Sequence, residues 1–314
     1  MGSGHRTDGS ARGQAATDRR RRRDHGRVLP RSGHPTGGSG VRGEARRRLR
    51  AFVQEKKVGR IPVVVALPGY AALFREFSLP AASASRLDEI VSYEAKQLIP
   101  YPLEEVIYGY HELRRDPDTG EITVALLCCR RDIIQQLLSV LDEMGLNVEA
   151  LQVGPVALVN FLLYDTPPEE AVVILDTGTR GTDFVVLNDG SFWLRSIGIS
   201  GADLSKALMS KFSIPYDRAE DLKKEMGDSK QADRVFRVMA PVLNNLCAEV
   251  QRSIGYYKSL FRGVQFGEVI CAGNTYLLAG VDQFAADHVN LPTRTLSVPE
   301  TLTTHFSVDP NEIE

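Results

Sequence analysis

The apolar positions of residues 61–151 alternate between a two-residue and a helical spacing, which predicts a unit that mixes strands with helices. Strands are predicted at residues 60–69, 72–79, 106–115 and 121–129, and helices at residues 85–99 and 131–144. The turn DPDTG joins the last two strands as a hairpin, and Ser83 or Ser85 can cap the first helix. The resulting order, ββαββα, describes a small α+β unit.

A second pattern begins after residue 152, where apolar strands are separated by glycine-containing loops. Strands are predicted at residues 171–174, 184–187 and 191–201, helices at residues 202–212, 216–225 and 231–260, and a strand, a loop and a helix within residues 267–292. Residues 293–314 show little periodicity and predict an irregular tail. The chain is long enough for two such units.

The loop DTGTRG, which follows residue 175, is longer than a tight hairpin needs. It begins with an acid at the end of a buried strand and contains two glycines and two threonines. Glycines allow a backbone to approach a ligand closely, and successive N–H groups form a concavity that suits an anion. A plain turn is the alternative interpretation of these residues.

The net charge of −2 hides a strong asymmetry along the chain. Residues 1–50 hold fourteen Arg and four acids, hence +10, and the remaining 24 basic and 36 acidic residues give −12. Because residues 1–50 contain few core-forming side chains, we expect them to be disordered. They are either a basic arm for RNA or anionic lipid, or the product of a wrong start or reading frame; a transit peptide is disfavoured by the glycines and acids.

The composition excludes several classes of function. The acidic body argues against general nucleic-acid binding, and four cysteines without a CxxC spacing, with six scattered histidines, give no metal or redox motif. No Walker A sequence or nucleophile elbow is present, so no catalytic residue is assigned. No apolar stretch approaches the length of a membrane span and no secretory signal is visible, which predicts a cytoplasmic protein.

In three places a predicted strand ends in a glycine-containing loop. They are DTGTRGT at residues 176–182, GISGADLSKAL at residues 198–208, and CAGNTYLLAG at residues 271–280. The second and third run from a strand through glycine into a helix, a geometry that favours phosphate or carboxylate. Such junctions are common, and each alone is weak support for a ligand site.

Taken in order, these junctions resemble the actin-like ATPase superfamily, and specifically the type IV pilus assembly protein PilM family, a relative of the cell-division protein FtsA. The most specific stretch is YEAKQLIPYPLEEV at residues 93–106, which is close to a signature of that family. LPGYAALFREFSLP, the loop DTGTRGT with its flanking strands, and AEDLKKE at residues 219–225 extend the resemblance across residues 61–291.

The resemblance implies an α/β actin-like, ribonuclease H-like ATPase fold with an inserted small α+β subdomain, and a site for ATP and Mg²⁺. Asp176 would hold the metal with its water shell. The phosphates would be bound by Gly178, Thr179 and Thr182, with Gly201 allowing close backbone approach. Glu220 and Lys223 would contact ribose and base, and Gly273 and Asn274 would form the adenosine loop.

The chain departs from the family in ways that bear on catalysis. The hairpin that opens the family, its first phosphate loop, does not occur before Val63, so the first lobe is expected to be incomplete. Since phosphoryl transfer depends on positioning and charge neutralisation, this loss should remove most of the affinity and any ATPase turnover. The adenosine loop has fewer glycines than usual, and Arg180, which is expected either to reach a phosphate or to stand in solvent, replaces a small hydroxyl residue.

The resemblance implies an adaptor of the pilus inner-membrane platform, which docks the N-terminal tail of a PilN-like bitopic membrane protein and contacts other platform proteins. The alternative is an actin-like ATPase of FtsA-type cell division or of type II secretion. Membrane contact is expected only through partners, at the cytoplasmic side of the inner membrane. The expected domains are residues 1–50, 51–151 for the small subdomain of the first lobe, 152–292 for the second lobe, and the tail 293–314.

Overall fold

A computed structural model describes residues 39–58, 61–81, 86–165, 167–228, 231–261 and 263–297. The helices are α1 (Ser39–Lys56), α2 (Leu87–Leu98), α3 (Arg131–Glu143), α4 (Gly154–Asp165), α5 (Gly201–Phe212), α6 (Tyr216–Lys224), α7 (Ala232–Leu260) and α8 (Val281–Val289). The strands are β1 (Pro62–Leu67), β2 (Ala72–Leu79), β3 (Val106–Arg115), β4 (Ile122–Arg130), β5 (Asn147–Val153), β6 (Ala171–Thr177), β7 (Thr182–Asn188), β8 (Ser191–Ile197), β9 (Phe266–Ala272) and β10 (Thr293–Thr295). No helix in this part of the chain is both long and apolar enough to cross a membrane.

The small sheet consists of β2, β4 and β3 in that order, all antiparallel. Its central strand β4 is almost continuously buried, because both of its faces are covered. The apolar side of α2 packs on one face, and the neighbouring Cys128 and Cys129 point to different clusters. Burial raises the pKa of the Cys129 thiol to about 11.

β1 does not belong to the small sheet. It pairs in parallel with β5 over six residues, with a bulge after Val63. This two-stranded sheet packs against α3. β1 and β2 are consecutive but do not pair, because the short turn Gly69–Ala71 carries the chain from one sheet to the other. Residues 61–153 keep the predicted element order ββαββα, but their strands form two small sheets.

The large sheet has the order β10-β9-β6-β7-β8. Strands β6, β7 and β8 are antiparallel, whereas β9 and β10 run parallel to β6. Helices α5, α7 and α8 cover one face and form the largest core with Val173, Leu175 and Phe184. The other face, with Val172, Ile174 and neighbouring residues, is covered by α4 and by the small sheet.

The small sheet packs directly on the large one through aromatic and aliphatic side chains. Phe74 of β2 and Ala125 of β4 lie in one buried cluster with Phe192 and Leu194 of β8. The rings of Phe74 and Phe192 are 5.8 Å apart. This contact fixes β2 and β8, the outer strands of their sheets, beside each other.

Two predicted boundaries are corrected at the ends of the described chain. α1 begins at Ser39, within the segment expected to be disordered. The side chain of Val53 is buried, and the guanidinium of Arg46 lies 3.8 Å from the carboxylate of Glu143. β10 adds to β9 within the expected irregular tail. Residues 1–38 and 298–314 lie outside the described residues, as do Ser83 and Ser85, the predicted caps.

Candidate functional site

The β6–β7 hairpin forms the first part of the candidate site. β6 ends at Thr177 and β7 begins at Thr182, and the N–H of Gly178 donates to the carbonyl of Gly181 at 3.0 Å. Thr179 is exposed at the tip. The loop is thus closed by its own backbone and presents its tip at the end of the buried strands.

The first turn of α5 lies beside this hairpin. The N–H of Gly201 donates to the carbonyl of Gly178 at 2.9 Å. A Cβ on Gly201 would lie 3.0 Å from the Oγ1 of Thr275 and 3.3 Å from the carbonyl of Gly178, which explains a glycine here. Ser200 and Asp203 form a capping box that starts the helix, in which the N–H of Ser200 donates to the carboxylate of Asp203 at 2.9 Å.

Glu220 and Lys223 of α6 reach the same helix start. The side chain of Lys223 is only 7% exposed, and its Nζ is 2.8 Å from Glu220 and donates to the carbonyl of Gly201 at 3.1 Å. Burial raises the pKa of Glu220, but the bonds from Lys223 and Ser205 outweigh it, so the pKa is lowered. The one-turn spacing predicted a shared face, and the structure places that face at Gly201.

The loop after β9 approaches the hairpin from the other side. Gly273 has a φ of 88°, and a Cβ there would lie 2.6 Å from the Oδ1 of Asp176 and 2.7 Å from the carbonyl of Thr177. Both observations require glycine. Asn274, the next residue, starts a 3₁₀ turn and is exposed. The three glycine junctions predicted from the sequence therefore converge at one place.

Two aspartates lie side by side at this junction. Asp176 of β6 and Asp183 of β7 are partners in the antiparallel ladder, and burial raises the pKa of both carboxyl groups. Asp183 accepts hydrogen bonds from the N–H of Gly69 at 3.1 Å and from the hydroxyl of Ser196 at 3.0 Å. Asp176 has no hydrogen bond or ion pair with any residue that the structure describes.

Thr182 is positioned differently from the prediction. Its side chain is fully buried, its hydroxyl donates to the carbonyl of Ile199 at 2.7 Å, and it lies 3.1 Å from the hydroxyl of Thr177. Thr177 in turn lies 3.1 Å from the buried hydroxyl of Tyr276. The Thr182 hydroxyl holds the hairpin to its neighbours, and this position does not support the phosphate contact that the resemblance implied.

Sequence reasoning missed a contact from the first lobe to the hairpin tip. The turn after β1 places the N–H of Gly69 on Asp183, and the guanidinium of Arg180 lies 4.8 Å from the centre of the Tyr70 ring. Arg180 was expected either to reach a phosphate or to stand in solvent. The sequence Pro-Gly after an apolar strand signals a turn, but nothing in it indicates which acid the turn would meet.

The fit of a magnesium-bound nucleotide can be judged from these donors. The half-buried carboxylate of Asp176, without a protein partner, suits a hard cation, and the glycines at positions 201 and 273 allow close backbone approach. Against this, the N–H groups of Gly178 and Gly201 already bond within the protein. Among the described residues, no group of three histidine, cysteine or acidic side chains is placed to hold a metal ion. The site fits a nucleotide through Asp176 and its glycines, with fewer free donors than the sequence predicted.

A groove of about 800 Å³ lies between the small sheet and the large sheet. Its walls are β2, the start of β8 with Trp193, and the end of α7, where Tyr256 is 53% and Leu260 is 49% exposed. Within the described chain β2 and β8 each pair on one side only. The alternating pattern of β2 predicted a strand, but its edge position depends on tertiary packing.

Comparison with known proteins agrees with this architecture. A solved structure described as a PilM-PilN type IV pilus biogenesis complex matches with a TM-score of 0.71 and 22% identity, covering 86% of this chain and 80% of that one. A weaker match is the ethanolamine utilization protein EutJ of Carboxydothermus hydrogenoformans, with 22% identity and a TM-score of 0.40, covering 50% of this chain and 54% of that one. Another is ADP-bound MreB5 of Spiroplasma citri, with 16% identity and a TM-score of 0.39, covering 57% of this chain and 64% of that one.

The likeness to the PilM structure confirms the predicted actin-like α/β fold. The family model for the type IV pilus assembly protein PilM matches residues 44–314. It starts within α1 and includes both small sheets and the large sheet. This chain is a member of the type IV pilus assembly protein PilM family.

Proposed function

We propose that this protein is an actin-like adaptor of the type IV pilus inner-membrane platform. It docks the N-terminal tail of a PilN-like membrane protein and meets the cytoplasmic face of the membrane through its partners. Membership of the PilM family and the likeness to a PilM in complex with PilN support this role. The groove beside the small sheet supplies a surface for the tail, within a small subdomain that we place at residues 51–151.

The observation that carries the proposal is the outer edge of β2, which borders the groove. A strand paired on one side presents a row of unpaired N–H and C=O groups that an extended peptide can bind. The neighbouring Trp193 and Tyr256 provide aromatic surface of the kind that anchors a bound segment. A tail entering this groove would bind through its main chain to β2 and through apolar side chains to α7.

The test is binding of a fluorescent synthetic peptide with the sequence of the PilN-like tail from the same genome. We expect saturable binding with a Kd of roughly micromolar order, as is usual for short segments that order on binding. Tyr256→Ala should weaken it about tenfold because Tyr256 lines the groove. Tyr164→Ala is the matched control, since Tyr164 is 86% exposed and lies on α4. No binding by the native chain would contradict the proposed function.

A second candidate function, binding of ATP with Mg²⁺, is favoured by the unpartnered carboxylate of Asp176. That carboxylate would hold the cation, and the phosphates would lie along Gly178 and Thr179 near Gly201. Glu220, Lys223, Gly273 and Asn274 would surround ribose and base. We propose that the bound ATP is not hydrolysed, because the N–H group of Gly178 in the hairpin is already hydrogen-bonded within the protein.

Thermal unfolding with and without millimolar Mg-ATP tests this second function. A ligand that binds the folded state raises its stability by mass action, so binding with a Kd in the high micromolar range should raise the Tm by a few degrees. Asp176→Asn should abolish the ligand-dependent rise, whatever it does to the unliganded protein. An unchanged Tm at all concentrations would remove nucleotide binding from the functions of this chain.

A further inference from the structure

We infer that the groove between β2 and β8 selects an extended segment that carries a basic side chain, and that Glu76 pairs with this side chain. The inference rests on the proposed function and specifies the chemistry of the docked tail. It follows from the position of one carboxylate among the groove residues.

Glu76 lies on the face of β2 that turns toward the large sheet. It is two residues from Phe74, which is buried between the sheets, and opposite Ala125 of β4 in the same cluster. Since side chains alternate across a strand, Phe74 and Glu76 share a face. A carboxylate therefore follows directly on an apolar contact, at the point where the two sheets separate into the groove.

Among the residues that the structure describes, this carboxylate has no partner: it accepts no hydrogen bond and forms no ion pair. Burial raises the pKa of Glu76, and Arg114 lowers it in smaller part without approaching to ion-pair distance. A half-buried charge without a partner costs free energy that an incoming cation would offset. A ligand ammonium or guanidinium would supply that cation.

The other charges along the groove are already compensated or exposed. Arg195 on β8 is 3.1 Å from Glu249 and from the hydroxyl of Ser253. Arg75 is exposed and donates to the carbonyl of Phe74. The guanidinium of Arg114 lies 5.3 Å from the centre of the Phe261 ring. Among the described residues of the groove, Glu76 is thus a half-buried charge that receives no direct contact, whereas Glu121 is exposed.

The surroundings of Glu76 also suit the stem of a long basic side chain. Trp193 and Phe261 line both the groove and its narrower extension beside Glu76. Lysine and arginine bury their methylene groups against apolar surface and keep the charged head on a polar partner, and aromatic faces attract the cation itself. Main-chain pairing along β2 and a basic side chain on Glu76 are compatible with one extended segment.

The competing explanation is that Glu76 protects the strand edge. Inward-pointing charges on edge strands discourage pairing with other chains. In that case neutralising Glu76 would promote self-association of the protein and leave tail affinity unchanged. The two explanations predict opposite results for the same substitution.

A double-mutant cycle tests the inference. Isothermal titration would measure binding of the PilN-like tail peptide, native or with its basic residues replaced singly by glutamine, to the full chain and to Glu76→Gln. We expect Glu76→Gln to weaken binding of the native peptide about tenfold. For the peptide in which the basic residue that pairs with Glu76 is already glutamine, the same substitution should change the affinity little. Independent effects of the two substitutions would simply add, so this difference measures the coupling between the two side chains. Glu89→Gln, on the exposed side of α2, is the control and should change nothing.

Each remaining outcome has a defined meaning. Tail binding with no coupling to Glu76, or equal affinity for peptides with and without basic residues, would overturn the inference while leaving the adaptor role intact. Self-association of Glu76→Gln in analytical ultracentrifugation, with unchanged tail affinity, would assign the carboxylate to edge protection and also overturn it. Failure of the native chain to bind any tail peptide would instead contradict the proposed function.

Discussion

At the scale of single residues, Asp176 carries a charge that the described protein does not neutralise. Burial raises its pKa above the ordinary value of 3.8. The folded state therefore binds more protons than the unfolded state between these two pKa values, and the free energy of unfolding falls as the pH rises through that window. At pH 7 the whole penalty is present.

We accordingly expect Asp176→Asn to raise the free energy of unfolding at pH 7, because an amide carries no charge that burial would penalise. Urea titrations at pH 7 and pH 4 should show a smaller gain at the lower pH, where the carboxyl group is increasingly protonated. Asp118→Asn, in the hairpin turn, is the control and should be neutral. A loss of stability at pH 7 would mean that Asp176 has a stabilising partner.

The carboxylate of Asp183 leaves no room for a side chain at position 69. A Cβ at this position would lie 2.1 Å from an oxygen of Asp183, and Asp183 cannot withdraw without losing its bonds to the Gly69 N–H and to Ser196. We expect Gly69→Ala to destabilise the protein by about 1–3 kcal/mol, the usual cost of overpacking.

Chemical denaturation checks this expectation against a matched glycine. Gly109 lies within β3, and a Cβ there would meet no atom within 4 Å, so Gly109→Ala should be neutral or slightly stabilising. Equal effects of the two substitutions would show that the Gly69–Asp183 contact does not constrain the turn after β1.

At the scale of secondary-structure elements, an ion pair within α6, between Glu220 and Lys223, is tied to the start of α5 by the bond from Lys223 to the Gly201 carbonyl. Lys223→Met would leave Glu220 and the Gly201 carbonyl without their cation. Removing one partner of a buried pair costs about 3–5 kcal/mol, and we expect the lower end because Glu220 is 24% exposed. Thermal melts should show the loss. Arg218→Met, which affects an exposed pair of the same helix, should cost less than about 1 kcal/mol.

The individual elements were largely predictable because each has a clear periodicity. β2 and the two strands of the small hairpin were located from their apolar patterns, and α7 from a long helical stripe. The pairing of β1 was not predictable, since two strands separated by a short turn usually form a hairpin. α1 was missed because its arginines resemble a disordered segment, whereas in the structure Val53 is buried and Arg46 approaches Glu143.

At the scale of the whole molecule, the candidate site was predictable only where a family pattern fixed it. The glycines at positions 178, 201 and 273 were identified from such a pattern, and the structure brings them together. The buried position of the Thr182 hydroxyl depends on Ile199, and the environment of Glu76 depends on how two sheets pack. Neither contact leaves a signal in the local sequence, because both partners are distant along the chain.

The contact between the small sheet and the large sheet should determine whether the two unfold together. Phe74→Ala would remove the ring that lies 5.8 Å from Phe192, and truncation of a buried phenylalanine costs about 3–5 kcal/mol. Because Phe74 lies at the junction, we expect this loss to uncouple the units as well as weaken them. Trp193, the single tryptophan, packs against Phe184 of the large sheet and Tyr257 of α7, so its fluorescence reports on the large sheet and its helices.

Urea unfolding followed by tryptophan fluorescence and by far-ultraviolet circular dichroism would measure this coupling. In the native chain we expect coincident transitions, the mark of cooperative unfolding. In Phe74→Ala the circular dichroism should begin to change at lower urea than the fluorescence, because the small sheet and α2 unfold first while α5, α7 and α8 keep their own core, against which Trp193 packs. Phe284→Ala, in that opposite layer, should shift both signals together. Coincident transitions in Phe74→Ala would mean that the small sheet has no stability apart from the large one.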